Sequence, residues 1–242
     1  MKNILKGFAL AISMLTTLPF FQVHNFYKGI NGYAVMFYPL VGFLLGSILY
    51  LVYIFLAPLI PHAHLAVIIF ALWVLLTGAL HLDGFSDTVD GLYVAKEKAL
   101  LVMKDPNTGG MGMIFSVTFL ILKASTLVAF EAFYLLPILM LLSRLSTTLA
   151  IYNYPYVSPN GMSSLAKEEF NLRQLFVTLF YSLVLVALFN AWLLLLATLF
   201  VLLLAKSFFI KRYGGFTGDI YGFTIEVTEL VLLNILLLTL LS

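Results

Sequence analysis

Residues His81–Gly112 read HLDGFSDTVDGLYVAKEKALLVMKDPNTGGMG. The chain has five aspartates; Asp83, Asp87, Asp90 and Asp105 lie in this window, and the fifth is Asp219. On either side the sequence is almost continuously apolar. A chain that avoids charge nearly everywhere and then gathers its carboxylates in one place has a chemical reason for doing so.

The apolar flanks decide the fold class. Of 242 residues, 62% are hydrophobic and only 10% charged, against about 25% charged in a soluble domain. Such a chain cannot cover itself with polar surface, so it is read as an integral membrane protein. Its apolar runs are too long for barrel strands of about 10 alternating residues. Helices satisfy their own backbone hydrogen bonds, so the expected class is all-α, a polytopic membrane bundle of about 7 (6–8) membrane helices. Net charge is +2, which gives no argument for nucleic acid. Cysteine is absent, which excludes disulfides, thiolate metal sites and a cysteine nucleophile.

Outward from the window, apolar runs place spans at about 34–57, 64–81, 111–131, 134–153, 173–189, 191–210 and 223–241, with a first element at about 3–21 ending near Pro19. Lys2 and Lys6 before an apolar run resemble a signal peptide, but no small-x-small cleavage site follows, so a retained first helix is expected. The segment 82–110 is polar and is expected to contain a helix. Asn190 marks a tight turn, and residues 154–172 read as a loop. Nothing marks a tandem repeat or a separate soluble domain, so 1–242 is read as one transmembrane domain. Lysine and arginine favour cytoplasmic loops. Lys96, Lys98 and Lys104 put 82–110 on that side, and Lys211 with Arg212 puts 211–219 there too. Parity adds the 22–31 loop with Lys28, so the first element is expected not to span fully. All five aspartates therefore fall at one face, expected to be the cytoplasmic one.

Asp83, Asp87 and Asp90 are spaced i, i+4, i+7, within roughly a 60° arc of a helix. Three carboxylates on one face repel unless a cation sits between them. Mg²⁺ takes oxygen ligands and usually joins one or two carboxylates to substrate phosphates. The expected site is therefore a Mg²⁺–diphosphate site, with Asp83, Asp87, Asp90, Asp105 and Asp219 as candidate ligands. A solvated helix face would account for one such carboxylate, less well for three. Gly109 and Gly112 before a helix can bring backbone N–H groups to a phosphate. Gly214, Gly215 and Gly218 permit a turn that aims Thr217 and Asp219 at the same site. Lys123, Arg144 and Lys206 are charges within spans, which are costly and usually face the interior. They are read as phosphate contacts or as partners of Glu131, Glu226 or Glu229, with snorkelling to the surface as the alternative for Lys206. His81 is a candidate base or phosphate donor, or a structural cap.

HLDGFSDTVDG, MKDPNTGGMG and KRYGGFTGDIYG together resemble the cobalamin synthase family, also called adenosylcobinamide-GDP ribazoletransferase. The early TTLPF and YPLVGFLLG agree, so the likeness extends over most of the chain. It implies an all-helical membrane bundle that joins adenosylcobinamide-GDP to α-ribazole or its 5′-phosphate, releases GMP and requires Mg²⁺. It further implies a bacterial inner-membrane location, contact with the lipid bilayer, and self-association or association with other corrinoid-pathway enzymes. Family motif positions fall on His81, Asp83, Gly84, Asp87, Asp90, Gly91, Asp105, Gly109, Gly112, Lys123, Arg144, Lys206, Gly214, Gly215, Thr217, Gly218, Asp219 and Glu226. On this reading Asp83, Asp87, His81, Arg144 and Lys123 are catalytic, and Lys104, Gly109, Gly112, Lys206, Gly215 and Thr217 bind substrate. The chain departs from the pattern at Thr17, where arginine is frequent, at Pro106 and Asn107 in place of Ser-Arg, at Met111 in place of histidine, and at Ser86 in place of alanine. Two other classes compete. A CDP-alcohol phosphotransferase or an aspartate-rich prenyltransferase would also use clustered aspartates, but the Ala-Arg of the CDP-alcohol pattern is missing. A cation-coupled transporter would place its carboxylates near the midplane in repeated halves.

Overall fold

The computed structural model describes residues 2–18, 28–158 and 163–241. Pro19, most of the 22–31 loop with His24, and Pro159 with Gly161 lie outside the described residues. Among those described there are eleven α-helices and no strand. Five are long and apolar enough to cross a membrane, or seven spans if each of two sharply bent helix pairs counts as one.

α1 is Lys2–Leu15. Its 14 residues cover about 21 Å at 1.5 Å each, short of a hydrocarbon core of about 30 Å. α2 (Asn31–Leu56) and α3 (His62–Leu76) follow. α3 ends five residues before its expected limit, because Gly78 (φ 60°) and Ala79 (φ 54°) are both left-handed. That pair turns the chain by 81° into α4, Leu80–Leu92. Asp83, Asp87 and Asp90 thus sit on a helix of their own, in agreement with their i, i+4, i+7 spacing. α5 (Lys96–Val102) and α6 (Gly110–Val128) flank the second motif. A 3-10 turn, Phe133–Leu135, leads into α7, Leu136–Asn153.

The segment expected to be a loop from 154 to 172 contains a short helix, α8 (Ser163–Glu169), before α9, Leu172–Leu188. Asn190 adopts φ 51° and makes the turn into α10, Trp192–Tyr213. α11 runs Gly218–Leu241, five residues earlier than its apolar pattern begins. Asp219 therefore stands in its first turn, and Glu226 and Glu229 lie in its middle rather than at its start.

α7 is the central helix, buried along nearly its whole length. α2 packs on it through Gly42 and Gly46, one turn apart. A Cβ on Gly42 would collide with the Met140 carbonyl, and one on Gly46 would come within 2.5 Å of the Leu136 carbonyl oxygen. In lipid, where apolar surface alone does not drive helix association, such backbone contact is what holds helices together. α4 meets α11 in the same manner. A Cβ on Gly84 would stand 2.9 Å from the Asp219 carbonyl oxygen, and one on Gly222 would stand 3.0 Å from that of His81. This glycine contact brings the first and third motifs side by side. The outer faces of α6, α9 and α10 expose Ile114, Ile121, Phe176, Phe180, Leu196 and Phe200, a surface suited to lipid tails.

Candidate active site

A cavity of about 540 Å³ lies where α1, α2, α4, α7 and α11 converge. His81, Asp83 and Gly84 line it from α4, Lys104 from the second motif, Arg144 and Thr147 from α7, and Asp219 and Tyr221 from α11. Tyr156, Ser158 and Ser163 close one side. Stretches from Met14 to Ile225 thus contribute to one space.

The carboxylates divide into three roles. Asp83 is exposed and Asp87 half-buried, and neither makes a hydrogen bond or ion pair among the described residues. Asp87 lies in the negative field of Asp83, Asp219, Asp90 and Asp105. Asp219 receives a hydrogen bond from the Thr217 hydroxyl at 3.3 Å and has Lys104 in its electrostatic surroundings. Asp90 is different. Its two oxygens accept the backbone N–H groups of Gly109 and Gly112, each at 2.7 Å. These are first-turn donors of α6 with no acceptor inside the helix. Gly109 and Gly112, read as a phosphate cradle, thus present their N–H groups to a protein carboxylate. A side chain at either would strike it. Asp105 is exposed and accepts both the backbone N–H and the side-chain amide of Asn107 at 2.9 Å. Those two bonds hold its carboxyl below the usual carboxylate range.

The intramembrane charges also divide. Lys123 is buried and donates to Glu226 at 2.8 Å and Glu229 at 2.5 Å. Its ammonium stands 4.3 Å over the Trp73 ring. It does not line the cavity. Arg144, 1% exposed, gives Nη1 to Glu229 and to the Ser143 hydroxyl and does line the cavity. The pairing of Lys123 and Arg144 with Glu226 and Glu229 follows the expectation; Glu131 is exposed and takes no part. Lys206 is exposed, with its ammonium 5.6 Å from the Tyr154 ring, away from the cavity lining. Gly215 lets the 155–157 segment pass against it, where Phe216 N–H bonds Pro155 and Val157 N–H bonds Phe216. Thr217 caps α11 by accepting the Ile220 N–H at 3.2 Å. Thr17, at the departure from the family pattern, bonds the last carbonyls of α3 at the break, Leu75 and Leu76, at 2.9 Å each.

Tyr38, Tyr156 and Tyr221 line the cavity and were not marked by the sequence reading. Tyr221 sits two residues after Asp219, which is the one signal available; the others look like ordinary membrane aromatics.

Among the described residues no group of three or more His, Asp and Glu side chains stands close enough to enclose a metal ion by itself. The donor set nonetheless suits Mg²⁺. It is all oxygen, it is self-repelling, and Asp83 and Asp87 are unspent. An ion held by one or two carboxylates and completed by substrate phosphates is the usual Mg²⁺ arrangement.

A family model described as cobalamin-5-phosphate synthase matches residues 7–237. A protein of Acinetobacter baumannii (strain ACICU) called adenosylcobinamide-GDP ribazoletransferase is 36% identical over 237 residues, 93% of this chain and 94% of its own length. Proteins with the same name from Pseudomonas aeruginosa (strain PAO1) and Desulfitobacterium hafniense (strain Y51) are 36% and 33% identical, over 96% and 93% of this chain and 98% and 93% of theirs. No solved structure matches the chain.

Proposed function

Because the chain belongs to the cobalamin-5-phosphate synthase family, we infer that it joins adenosylcobinamide-GDP to α-ribazole or its 5′-phosphate, releasing GMP, in the cavity between α4, α7 and α11. The observation that carries this reading is the meeting of three motifs at one space: Asp83 of the first, Lys104 of the second and Asp219 of the third.

The reaction is a phosphoryl transfer. The acceptor's 3′-hydroxyl attacks the phosphorus nearest the cobinamide. A new P–O bond forms, the bond to the bridging oxygen breaks, and GMP leaves with that oxygen. The hydroxyl proton passes to an acceptor in the cavity, for which His81 and Asp83 are the candidates. Bound Mg²⁺ would neutralise diphosphate charge and polarise the phosphorus. Asp83, Asp87 and Asp219 are the residues to hold it. Asp90 braces α4 against α6, and Asp105 adds to the negative field from an exposed turn. Lys104 and Arg144 supply positive charge on two sides of the cavity, where fixed charges favour the transition state without reorganisation. Most of the catalysis is then positioning.

The charge bias of the loops supports a cytoplasmic active site in the bacterial inner membrane. The exposed apolar helix faces support lipid as the surrounding partner.

The test is turnover in liposomes of adenosylcobinamide-GDP with α-ribazole across a Mg²⁺ titration. Asp83→Asn and Asp87→Asn are expected to lower kcat and raise the Mg²⁺ concentration at half-maximal rate. Unchanged Mg²⁺ dependence in both would remove these carboxylates from the metal site.

A further inference from the structure

Four polar side-chain atoms beside the cavity have no hydrogen-bond partner among the described residues: Nε and Nη2 of Arg144, Nε2 of His81 and the hydroxyl of Tyr221. All three residues line the cavity, and all are almost completely buried. A buried donor left without a partner forfeits its solvation, so each one calls for an explanation. Arg144 supplies the most specific one. Its Nη1 is engaged by Glu229 and Ser143. Nε and Nη2 form a different edge of the same planar group. That edge carries two parallel N–H donors, the arrangement that matches two oxygens of one phosphate.

What holds Arg144 in place is Glu229, itself fully buried. One Glu229 oxygen takes Nη1 of Arg144 and receives the Ser143 hydroxyl at 3.3 Å. The other takes Lys123 at 2.5 Å, and Lys123 in turn reaches Glu226 at 2.8 Å. Lys123 and Arg144 balance Glu226 and Glu229, so the cluster is neutral without help from a ligand. Lys123 and Glu226 stand behind Glu229, away from the cavity lining. A buried ion pair of this kind contributes little net stability against an apolar replacement, and a registry role is its best-attested use.

We propose that Glu229 is a positioning residue: braced by Lys123 and Glu226, it holds Nη1 of Arg144 so that the Nε–Nη2 edge receives two phosphate oxygens of a substrate in the cavity. Naming the ligand as a substrate phosphate rests on the transferase reading; the anion-binding edge does not. Lys123 then acts at one remove, through Glu229, rather than on phosphate.

Inorganic pyrophosphate is the probe, added in EDTA to the full chain in detergent, with the rise in unfolding midpoint as readout. The wild type is expected to gain stability in a saturable manner. Arg144→Lys, which keeps the charge but not the fork, and Glu229→Gln are each expected to bind roughly tenfold or more weakly, the worth of one charged hydrogen bond. The double variant Arg144→Lys/Glu229→Gln is expected to bind no more weakly than Arg144→Lys alone, since Glu229 acts through Arg144. Glu229→Gln leaves two buried cations facing one carboxylate, so Lys123→Met/Glu229→Gln, which keeps the balance, is measured beside it. That variant is expected to fold and still to bind pyrophosphate weakly. Wild-type binding retained by Lys123→Met/Glu229→Gln, additive losses in the double variant, or no saturable shift in the wild type would overturn the proposal. Turnover on the same samples separates the two readings. Pyrophosphate binding that follows this pattern in a wild type without turnover would keep the edge and sink the transferase. Turnover with no Arg144- or Glu229-dependent binding would do the reverse.

Discussion

Asp90→Asn separates the brace of the site from the carboxylates proposed to hold Mg²⁺. Asp90 is 8% exposed, and its two oxygens take the Gly109 and Gly112 N–H groups at 2.7 Å each. Asparagine keeps one carbonyl oxygen and turns an NH₂ group toward the other N–H. The loss is one charge-assisted hydrogen bond, about 1.5–3 kcal/mol, and the favourable charge at the α6 N-terminus, about 0.3–1 kcal/mol. Together they amount to about 2–4 kcal/mol, concentrated where α4 meets the first turn of α6. The assay is unfolding in detergent combined with hydrogen exchange resolved to the amides of Gly109–Met113. A lower midpoint is expected, with exchange at those amides faster by a factor of about 30 or more. Excess Mg²⁺ should restore neither. Native midpoint and native exchange in Asp90→Asn would refute the bracing role. Rescue by Mg²⁺ would show that Asp90 is a ligand instead.

Three further outcomes are expected. Gly42→Val should destabilise by about 1–3 kcal/mol, the usual cost of overpacking, because its side chain strikes the Met140 carbonyl of α7; chemical unfolding in detergent measures it. Asn107→Ala removes one of the two bonds that hold the Asp105 carboxyl low, so its titration should move up part of the way toward the ordinary value of about 3.9, read by NMR. Because the folded-state value is depressed, the stabilisation from this turn is present above the unfolded value and lost as pH falls through the folded one; the variant should show a smaller loss on acidification. Lys96→Cys, in a chain with no cysteine of its own, should be labelled by an impermeant maleimide only after the inner membrane is opened; labelling of intact spheroplasts would reverse the orientation.

The fold class was legible because membrane spans announce themselves by length and apolarity. The aspartate spacing also located α4, since i, i+4, i+7 has meaning only on a helix. What the sequence hid was geometry that depends on backbone conformation. The break after Leu76 rests on two left-handed residues, and Ala79 gives no hint of being one. The early start of α11 was masked because Gly218, Asp219 and Gly222 look like loop residues, while Gly222 in fact serves contact with α4. In the site, the grouping of Asp83, Lys104 and Asp219 agrees with loops placed on one face, while Arg144 was legible only as a charge within a span. The assignment of Gly109 and Gly112 to phosphate could not foresee that Asp90, nineteen and twenty-two positions away, already takes both N–H groups. Lys123 and Arg144 looked alike as buried cations. Only packing shows that one lies behind Glu229 and the other at the cavity.

The most direct test of the transferase reading is stoichiometry. Purified protein in liposomes receives adenosylcobinamide-GDP, α-ribazole 5′-phosphate and Mg²⁺, and chromatography follows GMP and the joined corrinoid. One GMP per corrinoid product, none without the acceptor, and little of either from Asp219→Asn is the predicted result. GMP released without joined product, or no turnover by a folded wild type, would contradict it.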